Sequence, residues 1–125
     1  MVAAQFITSF FDFSGDPPNP PNDIKGRAIL VWLRERCAHR ATLSAPESGE
    51  DWGWICAADN AGQRYMIGAS AEPDEAGYAC TVQVEKMRSM TDRMFGRNKM
   101  DADDPVAQAV LAALRGEPAL GPIDV

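Results

Sequence analysis

At 125 residues with 46% hydrophobic and 24% charged side chains, the chain has the length and composition of one globular domain with its own core. Twelve basic against eighteen acidic residues leave a net charge of −6, which argues against the chain as a whole binding nucleic acid or an anionic membrane. Three widely separated cysteines, Cys37, Cys56 and Cys80, form neither a disulfide framework nor a zinc signature, and no cofactor is implied.

The first residues lack a positively charged leader region, and the uninterrupted apolar run Ala28–Leu33, which no other run exceeds, is far short of a membrane span. With free thiols in apolar surroundings, the expected setting is a reducing cytoplasm. Gln5–Phe13, rich in Phe, Ile and Thr, predicts a strand that stops at Ser14-Gly15-Asp16-Pro17-Pro18. The prolines through Pro21 make a stiff connector, because each lacks an amide donor and fixes its own φ. Asn22 and Asp23 then offer capping oxygens to a helix over Ile24–Arg40. Its buried stripe is Gly26, Ile29, Leu30, Leu33 and Cys37, and Arg36, His39 and Arg40 close it against the negative end of the dipole.

Period-two patterning follows. Ala41–Ala45, Trp52–Ala58, Gln63–Ala69 and Tyr78–Glu85 read as strands, separated by the polar loop Glu47–Asp51 and by turns dense in Gly, Pro, Asn and Asp. In the last of them Tyr78, Cys80, Val82 and Val84 share one face, so the sheet has a buried side and a wetter side. Ser89-Met90-Thr91-Asp92 resembles a capping box and opens a short helix ending near Gly96. Asp103-Asp104-Pro105 opens another, with Val106, Val110, Ala113 and Leu114 inward and Gly116 as its stop. Residues 117–125 are expected to be extended or loose. The order β-α-β-β-β-β-α-α predicts a single α+β domain over residues 1–125. Its antiparallel sheet has four to five strands, with helices mainly on one face.

Motifs for dinucleotide, phosphate, zinc-protease or serine-hydrolase chemistry are absent; Gly68-Ala69-Ser70-Ala71-Glu72 lacks the second glycine of a nucleophile elbow. His39 is the only histidine, and its place at a helix end suits a dipole role as well as a catalytic one. The acidic groups Glu72/Asp74/Glu75 and Asp101/Asp103/Asp104 match no calcium-loop spacing. In Glu50-Asp51-Trp52-Gly53-Trp54, strand alternation predicts both tryptophans on one face, with Gly53 leaving the other bare. Trp52, Trp54 and Tyr65 are the candidate wall of a ligand pocket; the same indoles also fit a core beneath the long helix, with Glu50 or Asp51 accepting an N–H.

Residues 85–100 hold five of the twelve basic residues and four of the six methionines. Such a Met- and Arg-rich stretch with an aromatic is an interface composition, and Arg88, Arg93, Met94, Arg97 and Lys99 are the candidate partner-binding residues. The plain alternative buries Met90, Met94 and Phe95 under a short amphipathic helix; phosphate binding by Arg93, Arg97 and Lys99 runs against the net acidity.

Trp32-Leu33-Arg34-Glu35-Arg36, Glu50–Trp54, Arg64-Tyr65-Met66-Ile67-Gly68 and the run from Val84-Glu85-Lys86 through Asp92-Arg93 to Gly96-Arg97-Asn98 together resemble a group of small uncharacterised bacterial proteins. That resemblance implies a bacterial cytoplasmic protein and assigns no functional residue. Three function classes stay open: a non-enzymatic interaction domain, of inhibitor or immunity type or a homo-oligomer; a small-ligand-binding domain at Trp52/Trp54/Tyr65; and an enzyme pairing a carboxylate with His39.

Overall fold

A computed structural model describes residues 1–17, 23–49 and 52–125. The chain is α+β, built on one open antiparallel sheet of six strands with three helices. In chain order the elements are β1 (Val2–Thr8), α1 (Arg27–Arg36), β2 (Thr42–Leu43), β3 (Glu47–Ser48), β4 (Trp54–Asn60), β5 (Gln63–Asp74), β6 (Gly77–Lys86), α2 (Met90–Met94) and α3 (Pro105–Arg115), followed by a 3₁₀ turn at Pro118–Leu120. The strand order is β1-β6-β5-β4-β2, with β3 also paired to β4.

The sixth strand is the short β3, inside what the sequence presents as a polar loop; it pairs Glu47 with Ile55 and Ser48 with Trp54. The N-terminal strand ends earlier than expected. The Thr8 hydroxyl accepts the amide of Phe10 (3.1 Å), which turns the chain and sends Phe11 and Phe13 inward. Strand β5 runs to Asp74, longer than its apolar pattern, because it pairs with β6 down to Asp74 opposite Gly77. Alternation holds along β6: Cys80, Val82 and Val84 are buried.

Helix α1 buries the anticipated stripe of Ile29, Leu30 and Leu33 but is shorter at both ends than Ile24–Arg40. Lys25 is drawn into a bridge with Ala71 of β5, so the helix starts only after Gly26. Asn22 lies outside the described residues, and Asp23 faces Lys25 instead of capping. The cap comes from upstream: the carboxylate of Asp16 accepts the amides of Gly26 (3.1 Å) and Arg27 (3.0 Å). Gly26 has φ +147°, and a β-carbon there would sit 2.3 Å from the Ala69 carbonyl oxygen, so only glycine lets the helix start against β5. At the other end Arg34 and Arg36 occupy the last turn, whereas His39 and Arg40 lie beyond it.

Helix α3 follows local rules. Asp104 is its N-cap, Pro105 opens it, and Gly116 follows its last residue. The tail is docked where a loose one was expected. Leu120 is fully buried, Thr8 donates to the Ala119 carbonyl (3.1 Å), and Gln5 and Asp124 exchange two backbone hydrogen bonds (2.7 and 2.8 Å). These contacts cover the free edge of β1, which would otherwise present unpaired amides to another chain.

Candidate functional site

The two tryptophans of the Trp52-Gly53-Trp54 string separate to opposite sides of the sheet. Trp52 is not in a strand; it sits in the loop joining β3 to β4, closed by Gly49 N–H to Gly53 C=O (2.7 Å). Gly53 has φ +155°, a β-carbon there would sit 2.6 Å from the Ala69 carbonyl oxygen, and this backbone turn breaks the two-residue alternation. Trp54 begins β4 facing the core, 6% exposed, and its indole donates to the Ile24 carbonyl (3.2 Å). Trp52 folds over the outer face instead. Its six-membered ring covers Gly68, where a β-carbon would meet it at 2.6 Å.

Tyr65 belongs to a third location. It is 2% exposed on the inner face, and its hydroxyl donates to Asp104 Oδ2 at 2.8 Å. The other carboxylate oxygen of Asp104 accepts the amides of Val106 and Ala107, and Lys86 Nζ lies 3.5 Å from Oδ2. Burial first, then the bond and charge of Asp104, push the Tyr65 phenol above the ordinary tyrosine range. The three residues expected to share one pocket are therefore not brought together. Trp54 and Tyr65 are core, and only Trp52 faces solvent.

Around Trp52 the outer sheet face carries a groove of about 440 Å³, walled by Ile55, Met66 and Gly68 and by the polar Ser48, Gln83 and Glu85. A second depression of about 200 Å³ continues it through the shared Ile55 and Met66 to Met87, Arg64 and Glu47. Met66 and Ile55 escaped the sequence reading, although alternation opposite Tyr65/Ile67 and Trp54/Cys56 marks them as outward.

Residues 86–99 bring together most of the expected partner-binding group. The loop is held by its own polar contacts. Ser89 Oγ accepts the Asp92 amide (3.0 Å), and Arg88 donates to the carbonyls of Arg97 and Asp92, both at 3.0 Å. Gln63 anchors it to the sheet, donating to the Met87 carbonyl and accepting from Asn98, each at 2.9 Å. Arg88 is thus engaged inside the loop. Arg97 faces Asp92 (3.9 Å) and stacks on Phe95 (5.4 Å). Arg93 and Lys99 make no ion pair among the described residues. The apolar side chains do not turn inward: Met90, Met94 and Phe95 are 80%, 73% and 68% exposed, which corrects the buried amphipathic alternative. A five-residue helix has too little length to seat a face on the sheet.

The remaining candidates give less chemistry. His39 is exposed, and Asp101 and Asp104 are occupied in local turn and cap bonds. Among the described residues no group of three or more His, Cys, Asp or Glu side chains is placed to hold a metal. All three thiols are buried, and that burial raises Cys37 and pushes Cys56 and Cys80 up to about 12, so they are protonated and poor nucleophiles at neutral pH. Among the described residues no helix is long and apolar enough to cross a membrane. Set beside known proteins, the chain matches no family model, no curated protein and no solved structure.

Proposed function

We propose that this chain is a non-enzymatic protein-interaction domain that docks through residues 86–100, in an inhibitor- or immunity-type role in a reducing cytoplasm. The observation that carries the reading is the exposed triad Met90, Met94 and Phe95 on a loop tied down at both ends. Large apolar side chains held out in water contribute nothing to the monomer's core, and a pre-ordered loop loses little conformational freedom on binding. Methionine adapts to a partner's shape, and the flanking Arg93 and Lys99, which make no ion pair among the described residues, can meet carboxylates. Because the rest of the chain is acidic, this basic segment is suited to a protein surface rather than to a nucleic acid.

The test is capture from cell lysate by wild type and by Met90→Ser/Met94→Ser/Phe95→Ser, with light scattering on each and circular dichroism to verify folding. The triple variant should fold normally and lose its bound protein or its self-association by an order of magnitude or more. A wild type that captures nothing and stays monomeric refutes the reading, as does a triple variant that binds like wild type.

A further inference from the structure

We infer that Met90 and Met94 are a reversible oxidation site, at which a peroxide converts thioethers to sulfoxides ahead of every cysteine and turns the loop surface polar without disturbing the fold. For its consequence the inference rests on the docking reading above, and it supplies that surface's regulation. Met90 and Met94 are the two most exposed of the six methionines, at 80% and 73%, and their i, i+4 spacing puts both on one face of α2. Met100, by contrast, packs against the core, and Cys37, Cys56 and Cys80 are only 1%, 3% and 2% exposed. A thiol must ionise before it attacks a peroxide, and burial keeps these three protonated. A thioether has no proton to lose, so access alone governs it. In the step, a sulfur lone pair attacks one oxygen of hydrogen peroxide. The S–O bond forms, the O–O bond breaks, and the departing hydroxide takes up the remaining proton and leaves as water. Sulfur loses two electrons and the peroxide gains them. A methionine sulfoxide reductase reverses the change, releasing the oxygen as water while a dithiol becomes a disulfide.

The loop's construction makes this a switch rather than a lesion. Oxidising a buried methionine disrupts a core. Here the hydrogen bonds that hold the loop use no thioether. Arg88 binds the carbonyls of Arg97 and Asp92, Ser89 caps α2, and Gln63 grips the Met87 carbonyl and the Asn98 amide. The sulfoxide oxygens therefore enter water while the loop keeps its shape. What changes is the surface, where two apolar groups become polar acceptors. Arg93 stands three residues after Met90 on the same helix and makes no ion pair among the described residues, so its guanidinium is placed to donate to the new oxygen. One oxidation thus removes apolar surface and engages the cation that docking would offer to a carboxylate. Met1 is also exposed, at 64%, but lies ahead of β1, outside the loop, and serves as an internal control.

The experiment treats the full chain with hydrogen peroxide at neutral pH, quenches and denatures it, alkylates free thiols and maps the peptides by mass spectrometry. Met90 and Met94 should each gain one oxygen several-fold faster than Met100. All three cysteines should be recovered as alkylated thiols, and circular dichroism taken before denaturation should be unchanged. On a hydrophobic-interaction column the oxidised chain should elute earlier, and reductases for both sulfoxide epimers with dithiothreitol should restore its retention. Met90→Leu/Met94→Leu keeps the apolar bulk and Met1, and peroxide should hardly move it. A cysteine oxidised before Met90 and Met94, a Met100 that keeps pace with them, loss of structure, or a double variant that shifts as far as wild type overturns the inference. In the lysate capture, the sulfoxide form should lose its bound protein as the triple serine variant does. Capture that survives oxidation yet is lost in the serine variant overturns the inference and leaves the docking reading standing. Selective oxidation of a chain that captures nothing supports the oxidation site and refutes the docking reading alone.

Discussion

The best-defined internal contact is the buried carboxylate of Asp104, and Asp104→Ala tests whether it joins α3 to the sheet. Asp104 is 5% exposed and receives two backbone amides, at 2.8 and 3.2 Å, with the Tyr65 hydroxyl at 2.8 Å. Losing a helix N-cap costs about 1 kcal/mol. Losing a hydrogen bond to a buried carboxylate, with the phenol left unsatisfied, costs roughly 2 kcal/mol more. The Lys86 ammonium is 15% exposed and can turn to water, so it adds little. The sum is about 3 kcal/mol, a fall in urea midpoint of roughly 1.5–2 M for a chain of this size. Asp104→Asn keeps the capping oxygen and a polar group facing Tyr65, and should lose about 1 kcal/mol. Tyr65→Phe alone should lose roughly 1.5 kcal/mol. In the Asp104→Ala background the same change should cost almost nothing, because the orphaned hydroxyl is gone, so the double-mutant cycle should show a coupling of about 1–2 kcal/mol. An Asp104→Ala midpoint close to wild type, or strictly additive effects, would refute the reasoning.

The thiols of Cys37, Cys56 and Cys80 and the phenol of Tyr65 all have folded pKa values raised above their unfolded ones. The folded chain therefore keeps protons that the unfolded chain releases, and stability is full below about pH 8.5 and declines as pH rises through and beyond the unfolded thiol and phenol values. Urea titrations from neutral pH to pH 11 should show that decline, and Tyr65→Phe should flatten its upper part above about pH 10. A flat profile over that range counts against the buried groups as its source. Asp16→Ala should destabilise by about 1–2 kcal/mol and speed hydrogen exchange at the amides of Gly26 and Arg27, while Asp16→Asn retains most of the cap. Unchanged exchange at those two amides would mean the helix is capped otherwise.

What was legible in the sequence is what short-range chemistry decides. Asp104-Pro105 and Gly116 bound α3, and Ser89 caps α2, because each signal acts within a few residues of the element it controls. Alternation likewise places Cys80, Val82 and Val84 in the core. The reading fails where a distant group competes. Asp16, rather than a neighbour of the helix, caps α1, since the chain folds back to deliver it. The tail is ordered by Gln5 and Thr8 at the opposite end of the chain, which no local composition reports. Trp52 is lost to its expected face through one glycine, because a residue with positive φ between two tryptophans uncouples them. The exposed triad shows the same rule from the other side. Met90, Met94 and Phe95 resemble one face of a core helix, yet burial needs a second layer, and none of the described residues packs over α2 to bury them. Arg88 and Gln63 instead hold the loop in shape without covering those side chains. An apolar triad fixed in water by polar contacts gains from being covered and gives up little order when it is. That is why the basic, methionine-rich segment reads as a surface made for contact rather than as an unfinished core.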